Sequence, residues 1–161
     1  MKYFGFIFLT ACFLLSSSCF MSPKGHLFYG CIDKDPDKNE IVGTWIADKE
    51  TLKDMSARGS YTSFMMQKLI FHENGKLEML DLPDWWNKGD GKSFQGFESY
   101  EGNWEFSRQG ASCAEVNIHY LSNFTNLNFL ESRFGAEPKY IITKYIGDPD
   151  SDNMTTFVKE K

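Results

Sequence analysis

Apolar and polar residues alternate with a period of two through most of the second half of this chain. In residues 100–107, Trp104 and Phe106 fall on one face and Asn103, Glu105 and Ser107 on the other, the pattern of a half-buried strand. Residues 108–110 read as a turn, and 114–120 alternate again with Val116, Ile118 and Tyr120 inward. Residues 127–133, 139–146 and 155–159 add further runs, with 147–153 turning between the last two. Earlier, residues 40–46 form a short β-branched and aromatic run. Residues 67–72 and 77–80 flank Asn74-Gly75, a strong short-range hairpin signal. Only residues 51–66 suit a helix, and Gly59 with Tyr61-Thr62 cuts it short.

Seven or eight strands, mostly hairpin-linked and almost without helix, predict an all-β fold. An antiparallel up-and-down meander of this length must deal with its edges, and closing into a small barrel removes them. The inward positions are large (Trp45, Phe71, Trp104, Phe106, Ile118, Ile142, Phe157), as the interior of a small barrel or its binding cavity needs. A two-sheet β-sandwich is the alternative. Residues 81–98 are polar and Gly-rich yet carry Trp85, Trp86, Phe94 and Phe97, and they read as a long loop. Adjacent Trp residues cannot both point inward along a strand. One reading places at least one of them at the barrel mouth or surface, where aromatics serve as ligand lids or interface anchors; the other folds both over the barrel end as core.

The N-terminus has a different character. Lys2 precedes an apolar run over residues 3–15, followed by Ser16-Ser17-Ser18 and then Cys19. A positive start, a hydrophobic centre and a small-residue cleavage region are the parts of a secretory signal peptide. The apolar run, about 13 residues, is too short to cross a hydrocarbon core as a helix. A Cys directly after small residues resembles the lipobox of bacterial lipoproteins, which implies acylation of Cys19 and its exposure as the mature N-terminus. Residues 9–12, ending at Cys12, fit that motif better residue by residue but leave a much shorter apolar run. Cysteine parity favours Cys19, because Cys31 and Cys113 then remain as a pair. The domain plan is a signal peptide over 1–18, a lipid-anchored tether over 19–39 and a barrel domain over 40–161. The lipobox implies a membrane partner through the anchor and a place in the bacterial cell envelope, at the outer membrane facing the periplasm. An ordinary secretory signal, with a secreted product, is the alternative.

A Cys31–Cys113 disulfide closes a loop of roughly 83 residues, worth about 4 to 5 kcal/mol in the chain-entropy model. It is expected to tie the N-terminal segment to the body of the fold. Without a C-x-x-C arrangement, a redox-active role is not indicated.

Residues 19–161 are enough for one domain with a real core. Removing Lys2 moves the formal charge from −5 to −6, and the basic residues never form a run; nucleic acid is not an expected partner. His26, His72 and His119 are too far apart to suggest a site. Asp33, Asp35, Asp37 and Asn39 alternate as calcium-loop ligands do, but Lys38 stands where the sharp-turn Gly belongs and Thr44 where a bidentate Glu belongs. Asp148, Asp150 and Asp152 fail similarly. Asn123-Phe-Thr125 and Asn153-Met-Thr155 match glycosylation acceptors, which matter only in a eukaryotic secretory pathway. No nucleophile elbow, phosphate loop or His-Glu-x-x-His is present. No catalytic residue, metal or cofactor is expected.

Gly43-Thr44-Trp45, at the head of the first strand of the body, resembles the Gly-x-Trp signature of lipocalins and of short bacterial lipocalin-like domains. In that family the Gly allows a tight turn into the first strand and the Trp plugs the closed end of the barrel. Gly102-Asn103-Trp104 echoes it mid-chain, and the closing segment Thr156-Phe157-Val158-Lys159-Glu160 is similar to theirs. Lipocalins stack an Arg from the last strand on that Trp; this chain offers Lys159. The resemblance implies a non-catalytic barrel holding a small apolar ligand, reached past residues 81–98. The other reading is a protein-interaction, inhibitor or immunity-type lipoprotein, with a filled interior and an exposed aromatic patch at Trp85 and Trp86.

Overall fold

The computed structural model describes residues 29–32, 34–57, 67–88, 96–108, 113–133, 135, 137–146 and 154–161, without the side chains of 54–57 and 87–88. The signal segment, Cys19, His26, Asp33, Phe94 and the acidic series Asp148, Asp150 and Asp152 lie outside the described residues. Nine strands form: β1 (Tyr29–Cys31), β2 (Gly43–Ala47), β3 (Lys68–Phe71), β4 (Lys76–Pro83), β5 (Phe97–Ser107), β6 (Glu115–Tyr120), β7 (Asn123–Ser132), β8 (Tyr140–Tyr145) and β9 (Met154–Lys159). Short helices α1 (Lys38–Ile41), α2 (Lys49–Ala57) and α3 (Trp85–Lys88) interrupt them.

Strands β2 to β9 pair with their sequence neighbours, all antiparallel, and β9 pairs back onto β2. This is a closed eight-strand barrel with β1 as an added strand, and the two-sheet sandwich is excluded. The predicted hairpin sits where expected. Gly75 takes φ +80°, His72 N–H donates to the Lys76 carbonyl at 2.9 Å, and the Asn74 side chain accepts from Lys76 N–H at 3.0 Å. Asn and Gly tolerate this backbone where β-branched residues would be strained.

Several boundaries differ from expectation, among them the start of β7 at Asn123, four residues before the expected 127. Glu40 and Ile41 belong to α1, so the first barrel strand begins at Gly43. Strand β4 runs on to Pro83 through an irregularity between Met79 and Leu82, with Asp81 at φ +52°; the described residues of 81–98 are therefore largely strand and helix. Finally, Tyr29–Cys31, inside the expected tether, is a strand docked on β7. Strand β6 leaves β7 at the Glu115–Asn128 pair, and β1 continues in its place from Cys31–Leu130 to Tyr29–Ser132. The Cys31–Cys113 disulfide joins the two at that junction.

Inward residues form one core that includes Trp45, Leu69, Phe71, Leu77, Met79, Trp104, Ile118, Leu127, Phe129, Ile142 and Phe157. Burying each such side chain contributes about 1.5–3 kcal/mol. On the outer wall, α2 starts where Asp48 accepts from Thr51 N–H at 2.7 Å, an N-cap. It is pinned by Thr156 N–H donating to the Thr51 hydroxyl at 2.8 Å.

Candidate functional site

The two ends of the barrel are built differently. At the end where β2 begins, Gly43 adopts φ +130°, and a Cβ there would lie 2.9 Å from Lys159 Cε. Trp45 is fully buried, donates through Nε1 to the Ile41 carbonyl at 2.7 Å and packs edge-on against Phe129 at 5.8 Å. Lys159 Nζ lies 5.9 Å from the Trp45 ring centroid, where the resemblance places an Arg. Trp104 meets Phe71 edge-on at 5.5 Å and donates to the His72 carbonyl at 3.0 Å. Gly102 is required by close approach: a Cβ would sit 2.5 Å from the His119 carbonyl oxygen. Both Gly-x-Trp triplets are thus packing devices.

Glu40 closes this end, accepting from Lys139 Nζ at 3.1 Å and the Tyr140 hydroxyl at 2.8 Å. Burial alone would raise its carboxyl, but the Tyr140 and Lys139 hydrogen bonds outweigh it and hold it below its usual value. A charged surface cleft of about 450 Å³ runs beside it, lined by Lys34, Asp35, Asp37, Glu40, Glu131 and Tyr140 among others. Among the described residues no group of three or more His, Cys, Asp or Glu is arranged to hold a metal. His72 and His119 sit half-exposed on the outer wall opposite Glu78 (2.7 Å) and Glu105 (3.7 Å).

The opposite end of the barrel, termed the open end for its place opposite Trp45 and covered by α3, carries the unusual chemistry. There α3 folds across the barrel between β4 and β5. Trp85 is 3% exposed and Trp86 0%: both fold over the barrel end as core, one of the two placements the sequence left open, and the exposed aromatic patch of the interaction reading does not form at these two residues. The reason is geometric: successive residues in a helical turn are about 100° apart, against 180° in a strand. One turn lying across the opening can therefore bury both. Trp86 meets Phe157 edge-on at 5.6 Å. Lys144 Nζ lies 4.3 Å from the centroid of the Trp86 ring and donates to the Trp86 carbonyl at 2.9 Å. Phe97, paired with Pro83 at the rim, is half-buried.

Lys144 is only 9% exposed, and burial pushes its ammonium down to about 8, because an apolar surrounding penalises the charged form. Gln67, 0% exposed, has neither amide oxygen nor amide nitrogen hydrogen-bonded, and Trp86 Nε1 also lacks a partner among the described residues. Such groups are rare in folded proteins, and each costs about 1–3 kcal/mol when left unmet. Ile142 and Ala47 flank Phe157, and Ala47 N–H donates to the Gln67 carbonyl at 3.1 Å; Lys144, opposite Thr155, stands two residues further along β8 than that row.

Lys144 and Gln67 were not singled out by sequence, although parity contained the signal. Lys144 shares its face with Ile142 and Ile146, and Gln67 with Leu69 and Phe71, all of them buried. No family model matches this chain, and no curated protein or solved structure shows significant similarity to it.

Proposed function

We propose that this protein is a lipocalin-like carrier that binds a small, largely apolar ligand at the open end of its barrel, without catalysis. The observation that carries this reading is the set of buried polar atoms left unpaired at that end, above all the Gln67 amide. A folded interior tolerates such atoms poorly unless something else meets them. The lower interior is filled by Trp45, Phe71 and Phe129, so the ligand belongs to the upper half, where Trp86 now packs. The signal segment delivers the chain to the cell envelope and acylated Cys19 anchors it, with the barrel facing the periplasm.

Native mass spectrometry of the mature protein, purified gently from its host membranes, tests both parts. A co-purifying molecule of a few hundred daltons together with an acyl mass at Cys19 is expected; a bare barrel mass argues against the carrier. A second reading, a protein-interaction or inhibitor lipoprotein, draws on the rim. Leu121, 77% exposed, and Phe124 and Tyr145 are large apolar side chains facing water near the open end. A co-purifying protein, in place of a small molecule, would favour it.

A further inference from the structure

We infer that the outer wall at the β6–β7 hairpin is a dimer interface, and that its occupant is the same hairpin of a second copy of this chain. This surface lies outside the barrel, so the assignment is independent of what the interior carries.

The hairpin gives up local preference with no return inside the chain. Tyr120 pairs with Asn123, so Leu121 and Ser122 make a two-residue turn. Leu121 holds φ +53° there, at a position where hairpins favour Gly, Asn or Asp. Its side chain is 77% exposed, so burial within the chain does not offset the strain. Among the described residues the exposed large apolar side chains are Leu121, Phe124 and Tyr145, and all three gather at this place. Phe124 follows the turn on β7, its ring 4.8 Å from that of His119. Tyr145 stands two residues beyond the Asn128–Thr143 pair on the adjacent strand β8, level with Asn126. Exposed apolar clusters of this kind mark contact surfaces.

The backbone adds an edge. Phe129 N–H donates to the Ala114 carbonyl at 2.9 Å, on the β6 side. Peptide groups alternate in direction along a strand, so those of Phe124 point to the opposite, β8 side. Pairing with β8 ends at Asn128–Thr143. From Phe124 to Leu127 no strand pairs with this side of β7 among the described residues. Such an edge is a template for another strand.

Charge selects the occupant. The chain carries a formal −5 and 24% of its residues are charged, yet residues 116–130 contain no Asp, Glu, Lys or Arg. Carboxylates stand at the margin, Glu105 at 3.7 Å from His119 and Glu115 at 2.9 Å from Asn126. In a symmetric dimer the same surface serves on both sides, so every charge on it meets its own copy. An acidic chain therefore self-associates most readily through an uncharged surface, whereas a basic partner would be met by carboxylates. A twofold axis beside Phe124 lays the two edges antiparallel. Each Phe124 then faces the other, and Leu121 of one copy is carried toward Tyr145 of the second.

Sedimentation velocity of the mature protein over a wide range of concentration tests the interface. A monomer–dimer equilibrium is expected. Phe124→Lys sets two like charges at the axis and should weaken association at least about tenfold. The denaturation midpoint of the dilute monomer should stay close to wild type, because Phe124 is exposed. Leu121→Gly should also weaken association while keeping or raising the stability of the monomer, since Gly suits that φ; a folding defect would move both the same way. A monomer at every concentration overturns the inference, and binding of that monomer to phosphatidylcholine vesicles would assign the surface to lipid instead. A dimer that survives both substitutions overturns it as well. Neither outcome touches the carrier reading, which the co-purifying mass decides.

Discussion

The Lys159 ammonium donates to the main-chain carbonyls of Asn39 at 2.8 Å and Glu40 at 3.2 Å while lying 5.9 Å from the Trp45 ring centroid. One side chain on the last strand thereby ties down the segment that enters the first. Lys159→Met removes charge-assisted hydrogen bonds and a cation–π contact together. The expected loss is about 1–3 kcal/mol in urea denaturation. Lys159→Arg should keep most of the stability, since a guanidinium can reach the same carbonyls and stack on the same ring.

Gly43 is required twice over at that junction, by its φ of +130° and by the 2.9 Å approach of Lys159 Cε. Gly43→Ala is expected to destabilise the barrel by about 1–3 kcal/mol. Gly96→Ala is the control: a Cβ there meets nothing within 4 Å, and its midpoint should stay close to wild type.

Trp86 fills the open end as a plug. Trp86→Ala should cost about 3–5 kcal/mol in stability, read as a lower denaturation midpoint.

Burial of Lys144 gives stability a defined pH dependence. Its folded value of about 8 lies below the ordinary lysine value of 10.5. Between these values the unfolded chain binds more protons than the folded one, so stability rises with pH across that window. The gain is about 3 kcal/mol at most, and it is absent below pH 8, where both states are protonated. The stability difference between wild type and Lys144→Met should accordingly shift in favour of wild type from pH 8 to pH 10.5. A flat difference would show that Lys144 is better solvated than its burial indicates.

The Cys31–Cys113 bond joins residues 82 apart in sequence and keeps β1 on β7. The double variant Cys31→Ala, Cys113→Ala should lose about 4 kcal/mol, by the chain-entropy argument. Hydrogen exchange should report this unevenly. Amides of Tyr29–Cys31 lose protection first, while β2 to β9 retain theirs, because barrel closure does not run through β1.

The barrel was legible in the chain because its signals are local. Period-two alternation in β5 and β6, Asn74-Gly75 at a tight turn and Gly43 before Trp45 each act within a few residues. The disulfide was legible because only two cysteines remain once Cys12 and Cys19 are assigned to the signal and anchor. Local pattern failed at residues 81–98. A strand crossing its own bulge and a single helical turn leave no periodicity long enough to read, so the sequence left open whether Trp85 and Trp86 lie at the barrel mouth or fold over its end as core. It also failed at Tyr29–Cys31, whose strand exists only because β6 ends early on β7.

By itself, then, the sequence determined an all-β chain of paired strands, the turns that join them and the Gly-x-Trp head of the first barrel strand. Tertiary structure alone decided that β9 closes on β2, that both indoles of α3 lie buried, and that Lys144 and Gln67 lie buried as well. The physical reason is the range of the forces. Alternation and turn preference are fixed by steric contacts between near neighbours. The cost of a buried ammonium or an unpaired amide depends on what surrounds it, and those surroundings are assembled from strands distant in sequence.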